Sequence, residues 1–232
     1  MVNQVVLFAG GKGTRMRELT ETIPKPMVEV GKIPVLHHLI NIFEYFSKFN
    51  FLIATGYKGE IIENYFQSFK NVKTINTGEE TNTGGRLLKL KDLLEDKFIV
   101  TYGDGLANVN IKRLIDFHNS NNKIGTVTVT NPISRFGLVE FDENNIVNKF
   151  IEKPKLDGFV NIGFMVFEKQ VLNYLEDDVP LETTPLINLS KDSELCAFTH
   201  DGYFEPMDTY KKYMQKNEYW ESGNPPWINF DY

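Results

Sequence analysis

Short apolar runs separated by stretches of helical period set the rhythm of the first half of the chain. Val5–Ala9 is wholly apolar, as expected of a strand buried on both faces. Phe51–Thr55, Phe98–Tyr102 and Gly125–Thr130 repeat the pattern, and Lys73–Asn76 reads as a shorter strand. Between them Val35, Leu36, Leu39, Ile40, Phe43 and Phe46 recur at helical spacing. Gly59–Phe69 does the same with Ile61, Ile62, Tyr65 and Phe66, and Arg86–Leu94 reads as a further helix. Ile111, Leu114, Ile115 and His118 mark one face of another. The β–α–β–α order predicts an α/β, Rossmann-like fold: a mixed, mostly parallel sheet with helices on both faces.

The pattern changes after about residue 130. Leu138–Phe141 and Ile146–Phe150 flank Asp142-Glu143-Asn144-Asn145, the pattern of a β-hairpin with a polar loop. Asn161–Phe167 predicts one continuous apolar strand, with helices near Gln170–Glu176 and Thr209–Glu221. No Pro/Gly/Ser-rich linker interrupts the chain, so residues 1–232 read as a single domain whose second half extends the same sheet.

Composition removes several classes of function. The 232 residues are 41% hydrophobic and 24% charged, with a net charge of −6 and no long basic block, which argues against nucleic acid as a partner. No apolar stretch is long enough to span a membrane, and residues 1–15 lack the layout of a signal peptide, so the cytoplasm is the expected compartment. Cys196 is the sole cysteine, which leaves no internal disulfide. The four histidines have no zinc-ligand spacing. His37 and His38 are neighbours on a helix and point about 100° apart, so structural roles are expected for both.

The candidate chemistry starts at Gly10-Gly11-Lys12-Gly13-Thr14-Arg15, directly after the first strand. The dinucleotide fingerprint requires glycine where Met16 stands, and a P-loop requires Gly-Lys-Ser/Thr where Lys12 precedes Gly13. What remains is a glycine turn at the carboxyl end of a strand, where open α/β sheets bind ligands. Its amides suit phosphate oxygens, Thr14 adds a hydroxyl, and Arg15 adds a forked cation. Lys25 lies between Pro24 and Pro26, which predicts a stiff, exposed loop presenting a point charge. Asp104 lies between Gly103 and Gly105 at the end of a buried strand, a position suited to a Mg²⁺ ligand.

The stretch LFAGGKGTRM…TIPKPMVEVGKIPVLHHLI, followed in order by NTGEETNTGGRL, TYGDGLANVNIKRLIDFH, RFGLVEF, FIEKPK, NIGFMVF and FEPMDT, resembles the sugar-phosphate nucleotidyltransferases nearly end to end. Within them it is most similar to the CTP-using branch that includes the glucose-1-phosphate cytidylyltransferases. The resemblance implies the nucleotide-diphospho-sugar transferase fold, with a nucleotide-binding half over residues 1–130 and an acceptor-binding half over 131–232. It implies attack by a phosphate monoester on the α-phosphorus of CTP, release of pyrophosphate, a Mg²⁺ cofactor and a homo-oligomer. By the same resemblance Ala9, Gly10, Gly11, Gly13, Thr14, Arg15, Lys25 and Tyr102 meet the nucleotide, with Arg15 and Lys25 catalytic. Gly84, Gly85 and Arg86 read the base through backbone groups. Asp104 and Asp208 hold the metal, and Gly137, Glu152, Lys153 and Asn161 line the acceptor pocket.

Two departures from the family pattern bear on the acceptor. The segment Gln67–Thr77 is shorter than the family's, and Ile162 stands where glycine is expected. Both predict a reshaped acceptor pocket in which glucose 1-phosphate is a poor substrate. The acceptor is therefore a sugar 1-phosphate or a non-sugar phosphate such as the L-glutamine phosphate of capsule phosphoramidate assembly. A non-catalytic nucleotide-sensing domain is the remaining reading, and it would not require Arg15, Lys25, Asp104 and Asp208 together.

Overall fold

Val5, Leu7 and Ala9 enter one hydrophobic core, while Val6 and Phe8 enter another on the opposite side of the same strand. That alternation is why the run is apolar throughout. The computed structural model describes residues 2–230, without the side chains of Arg15, Arg17 and Glu18. In chain order the strands are β1 (Gln4–Ala9), β2 (Glu29–Val30), β3 (Ile33–Pro34), β4 (Asn50–Thr55), β5 (Val72–Asn76), β6 (Lys97–Tyr102) and β7 (Gly105–Ala107). They continue as β8 (Gly125–Thr130), β9 (Leu138–Phe141), β10 (Val147–Ile151), β11 (Val160–Asn161), β12 (Met165–Glu168), β13 (Leu195–Thr199) and β14 (Phe204–Pro206). The helices are α1 (Arg17–Thr20), α2 (Val35–Phe46), α3 (Gly59–Phe66), α4 (Thr83–Leu90), α5 (Ile111–Asn121), α6 (Thr184–Lys191) and α7 (Tyr210–Glu221).

The main sheet runs β11-β8-β12-β6-β1-β4-β5, with β13 on the other edge of β8. Its pairs β6–β1, β1–β4, β4–β5 and β8–β13 are parallel, and β12 is antiparallel to β6 and β8. Leu36, Leu39 and Phe43 of α2, Ile62 and Phe66 of α3 and Leu114 of α5 cover one face. Leu87 and Leu90 of α4 with Leu186 and Leu189 of α6 cover the other. The architecture is the mixed, mostly parallel sheet between helices that the periodicity predicts. No helix among the described residues is long and apolar enough to cross a membrane.

Three expectations change. The run 161–167 is not one strand. Gly163 and Phe164 take left-handed φ values of 81° and 50°, which divide it into β11 and β12, both along β8. The break is held by the Phe164 amide, which donates to Thr101 Oγ1 at 3.2 Å. It turns the Phe164 ring into the first core, where it stacks on Phe43, and leaves Met165 in the second. The stretch near 170–176 is a 3₁₀ turn, Lys169–Tyr174. The hairpin β9–β10 forms, but as a separate two-stranded sheet apart from the main one.

Ile162 is a core residue, 2% exposed and packed in the first core. Its side chain points into that core and meets no surface pocket, so the expectation that it reshapes the acceptor pocket is corrected. Ile162→Gly is expected to lower unfolding free energy by about 3–5 kcal/mol, the loss of a buried branched side chain plus the backbone cost of glycine, measured by denaturant unfolding.

The histidines are held structurally. His38 Nε2 lies 2.9 Å from the Val30 carbonyl oxygen with its ring edge-on to Trp220 and Trp227, and His118 Nδ1 lies 2.9 Å from Thr126 Oγ1. His37 Nδ1 meets Tyr65 Oη at 2.9 Å, and His200 Nε2 meets the Tyr203 carbonyl oxygen at 3.1 Å. Burial pushes all four below the usual imidazole range.

Candidate active site

The carboxyl ends of β1 and β6 open into a cavity of about 500 Å³. The glycine turn forms one wall through Gly10, Gly11, Gly13 and Thr14, together with Phe8 and Ala9. Gly13 has a φ of 61°, and a Cβ there would sit 2.8 Å from Lys25 Cβ, so both backbone and packing require glycine. A Cβ on Gly10 would strike the Arg86 guanidinium. At Gly11 a Cβ would meet nothing within 4 Å, so that glycine faces open space. Among the described residues no hydrogen bond occupies the amides of Gly11, Lys12 or Gly13. A run of open amides at a strand end suits an anion. The Arg15 side chain lies outside the described residues.

Lys25 corrects one expectation. It does not stand on an exposed loop: Pro24 caps a 3₁₀ turn, Lys25–Met27, and Lys25 is 9% exposed. The turn is drawn inward because Val28 and Met27 are core residues. The Lys25 ammonium donates to Asp104 Oδ2 at 2.5 Å and to Asp208 Oδ1 at 2.7 Å. Burial opposes its charge, but the two carboxylates outweigh burial and hold the ammonium above its usual range.

The meeting of Asp104 and Asp208 follows from strand pairing. β7 and β14 pair antiparallel with Gly105 opposite Pro206, and the Met207 amide donates to the Asp104 carbonyl oxygen at 2.9 Å. The residue just before β7 is thereby brought beside the residues just after β14. Glu205 on β14 is gripped from α7 by Lys212 and by Lys216, whose ammonium lies 3.0 Å from Glu205 Oε2. Lys216 is fully buried, and burial, with the neighbouring Lys212 charge, pushes it down to about 7. Its pairing with Glu205 ties α7 to the strand that delivers Asp208.

Two carboxylates converging on one cation form the donor set for a metal that takes its remaining ligands from phosphate and water. No cluster of three or more His, Cys, Asp or Glu side chains able to hold a metal exists among the described residues. Asp104 and Asp208 therefore fit Mg²⁺ held jointly with a substrate, and do not form a closed protein cage.

Thr81, Asn82, Thr83 and Arg86, with Pro180 and Glu182, also line the cavity. Here the expectation for the second glycine pair is corrected. Gly84 and Gly85 lie inside α4 and face away from the cavity, against the segment 178–181. The Gly84 amide already donates to the Val179 carbonyl oxygen at 3.0 Å, and a Cβ on Gly85 would sit 2.0 Å from Asp178 Oδ1. These glycines permit close packing of a helix on a loop. Arg86 is buried under Gly10, donating to the Thr55 carbonyl oxygen at 2.9 Å and to Thr77 Oγ1. Burial pushes its guanidinium down, with Asp178 opposing.

Tyr102 lines the cavity, and its hydroxyl donates to Glu182 Oε1. Thr83 Oγ1 donates to the other Glu182 oxygen at 2.8 Å. Burial, then the Glu182 charge, pushes the Tyr102 phenol far above its usual range. Asn82 and Thr83 fall inside the NTGEETNTGGRL motif, while Pro180 and Glu182 carry no sequence signal of their own. The segment 178–183 is held at the site by the Leu181 amide, which bonds Thr83 Oγ1, and the Asn82 amide, which bonds Asp178 Oδ1, both at 2.7 Å, among other bonds.

None of the four residues expected at the acceptor lines this cavity, and of them Asn161 meets it indirectly, through its side-chain interaction with Tyr102. Gly137, Glu152 and Lys153 flank the β9–β10 hairpin, where Lys153 Nζ lies 3.5 Å from Glu152 Oε1 on exposed side chains. Asn161 lies on β11, its Oδ1 accepting from the Gly163 amide at 3.0 Å.

Residues 4–221 match the family described as nucleotidyl transferase. The chain is 36% identical to the probable glucose-1-phosphate cytidylyltransferase of Bacillus subtilis, over 97% of this chain and 98% of that protein. It is also 36% identical to the glucose-1-phosphate cytidylyltransferase of Salmonella typhi, over 98% of this chain and all of that protein. Among solved structures, HddC from Yersinia pseudotuberculosis superposes with a TM-score of 0.73 at 26% identity, covering 94% of this chain and 100% of that one. The UDP-glucose pyrophosphorylase of Acinetobacter baumanii shares the fold, with a TM-score of 0.75 at 18% identity over 98% of this chain and 96% of that one.

Proposed function

Because the chain belongs to the nucleotidyl transferase family, we propose that it moves a cytidylyl group from CTP onto a sugar 1-phosphate such as glucose 1-phosphate, releasing pyrophosphate. The observation that carries this reading is the Lys25 ammonium held between Asp104 and Asp208 at the cavity, beside a glycine turn with open amides. Such a site is built for two anions that repel one another until charge is supplied.

An oxygen of the acceptor phosphate forms the new bond to the α-phosphorus of CTP. The bond from that phosphorus to the oxygen bridging to the β-phosphate breaks, and the electron pair leaves with pyrophosphate. The acceptor phosphate is ionised at neutral pH, so no general base is required, and positioning and charge carry the catalysis. The amides of Gly11, Lys12 and Gly13 and the Thr14 hydroxyl donate to the triphosphate, and Arg15 adds a forked cation. Lys25 places its charge where negative charge grows on the transferring phosphate. Asp104 and Asp208 would hold Mg²⁺, which when bound supplies Lewis-acid charge to phosphate oxygens. Thr81, Asn82 and Thr83, which line the same cavity, replace Gly84 and Gly85 as the groups that read the base. Gly137, Glu152, Lys153 and Asn161 receive the acceptor beyond the cavity.

Pyrophosphate release with CTP, UTP, dTTP and GTP, each crossed with a panel of phosphate monoesters, tests this reading. The expected result is a preference for CTP of at least about 10-fold, because a polar site matched to one base edge leaves buried groups unpaired with another. Glucose 1-phosphate and L-glutamine phosphate are the decisive acceptors, since the better of the two assigns the sugar or the non-sugar reading. No release with any pair would overturn the catalytic reading altogether.

A further inference from the structure

Helix α7 buries a charge where a helix usually buries an apolar side chain. Among its residues Lys216 alone is buried, at 0% exposure. A lysine is almost never fully buried without a partner, and an apolar residue of similar size would carry no desolvation cost. The partner is Glu205 on β14. Its Oε2 accepts from the Lys216 ammonium at 3.0 Å and from the Tyr203 hydroxyl at 3.3 Å, and its Oε1 accepts from the Lys212 ammonium. The Glu205 side chain is 13% exposed, so this grip acts largely out of water, where contacts between charges are stronger.

The grip spans the corner that presents Asp208. Met207, Asp208 and Thr209 join β14 to α7. Met207 is sealed in the first core with its amide on the Asp104 carbonyl oxygen, and Thr209 Oγ1 caps α7 by accepting from the Lys212 amide at 3.3 Å. Asp208 is the middle residue, and the contacts of Glu205 close the corner behind it. The next residue of α7 reaches the other side of the site. Asn217 Oδ1 accepts from the Gly31 amide at 3.0 Å, just past β2, which follows the turn that carries Lys25. Adjacent helical residues point about 100° apart, so Lys216 and Asn217 fasten one helix to two segments. One segment leads to Asp208 and the other starts at Lys25, and those two side chains meet at 2.7 Å. The Lys216 ammonium is near enough to feel the charges of Asp208, Asp104 and Lys25.

We propose that Lys216 is a positioning residue for the transfer reaction: by holding Glu205 from a fixed point on α7, its ammonium sets the place of the Asp208 carboxylate and so the geometry of the Asp104–Asp208 pair toward a divalent cation. Lys216 is fully buried and does not line the cavity, so it acts through Glu205. The proposal rests on the reading of Asp208 as a metal ligand. Side chains that orient a metal ligand from behind commonly contribute about 10–100-fold to metal affinity or activity.

Mn²⁺ in place of Mg²⁺, followed by paramagnetic resonance with the α,β-methylene analogue of CTP and no acceptor, reads metal affinity without turnover. Lys216→Met keeps an unbranched side chain of similar length and leaves Glu205 its Lys212 partner. It is expected to weaken Mn²⁺ binding at least about 10-fold and to lower kcat with CTP by about 10–30-fold, with KM for the acceptor within about threefold of wild type. Glu205→Gln is expected to match it, and the double variant to be no worse than either single one, because the two side chains act as a unit. If Lys216→Met does not fold, the nearly isosteric Glu205→Gln decides the question. Asp208→Asn is the reference. A purely structural role for Lys216 would lower the melting temperature and leave Mn²⁺ affinity at the wild-type value. That result, beside a weakened Asp208→Asn, would overturn the proposal and leave the metal reading intact. Losses that add in the double variant would also overturn it, since Lys216 would then act by a route other than Glu205. Wild-type Mn²⁺ affinity in Asp208→Asn would overturn the metal reading and the proposal with it.

Discussion

Asp104→Asn is expected to lower kcat by about 10³-fold, and Asp208→Asn to match it, because a metal clamp on a transferring phosphate is among the largest electrostatic contributions available. The two carboxylates lie far apart along the chain and meet through the β7–β14 pairing and a shared ammonium. Replacing either one leaves a single charged oxygen donor, too few for an ion that draws only part of its shell from protein. The two residues act as a unit, so the double variant is expected to be little worse than either single one. The change is nearly isosteric and leaves Lys25 one carboxylate partner, so thermal unfolding should move little. The measurement is kcat at saturating CTP, acceptor and Mg²⁺, with an unfolding curve for each variant. Undiminished turnover in EDTA, or in either Asn variant, would remove the metal from the reading.

Lys25→Ala should separate catalysis from binding. We expect kcat to fall by about 10²–10³-fold while KM for CTP changes by less than about threefold, since a charge that counts most as the phosphate rearranges acts on the transition state. The ammonium is held above its usual range, so it stays charged through neutral and mildly alkaline pH and introduces no titration of its own there. The same substitution has a structural signature. Without the ammonium, two partly buried carboxylates face each other, at a cost of about 3 kcal/mol when the cation of such a cluster is removed. Mg²⁺ should therefore raise the melting temperature of Lys25→Ala more than that of wild type, in which Lys25 already neutralises the pair. A variant with normal kcat and only a raised KM would contradict the role given to Lys25.

The β9–β10 hairpin and the Gly84–Gly85 pair show where sequence patterns stop being informative. The hairpin was legible from two apolar runs around a polar loop, but alternation does not say whether the apolar face will find a cover. Gly84-Gly85 looks like a ligand-reading glycine pair in the same way that Gly10-Gly11 does. Their neighbours decide the difference: Val179 and Asp178 crowd the first pair, while the second faces the cavity apart from the Arg86 side chain under Gly10. Pro24 and Pro26 correctly implied a stiff turn, yet stiffness does not fix exposure, and Met27 and Val28 carry that turn into the core. Asn161–Phe167 read as one strand because all but two of its residues are apolar, and the left-handed pair Gly163 and Phe164 is invisible to periodicity.

By itself the sequence determined the order of strands and helices, the two-sided burial of the central sheet and the place of the glycine turn at a strand end. Those features are local: they follow from side-chain period, from glycine's freedom at positive φ and from the position of a turn after an apolar run. The resemblance of its motifs then supplied the pairing of Asp104 with Asp208, which spacing alone could not give. Tertiary structure decided how that pairing is made, through the β7–β14 ladder and a lysine from a third segment. It also brought Glu182 and Pro180 to the cavity, and it placed Ile162 in the core and the β9–β10 ribbon outside it. Each of these depends on which distant segments share a neighbourhood, and burial and ion pairing act on neighbours in space, whatever their separation along the chain.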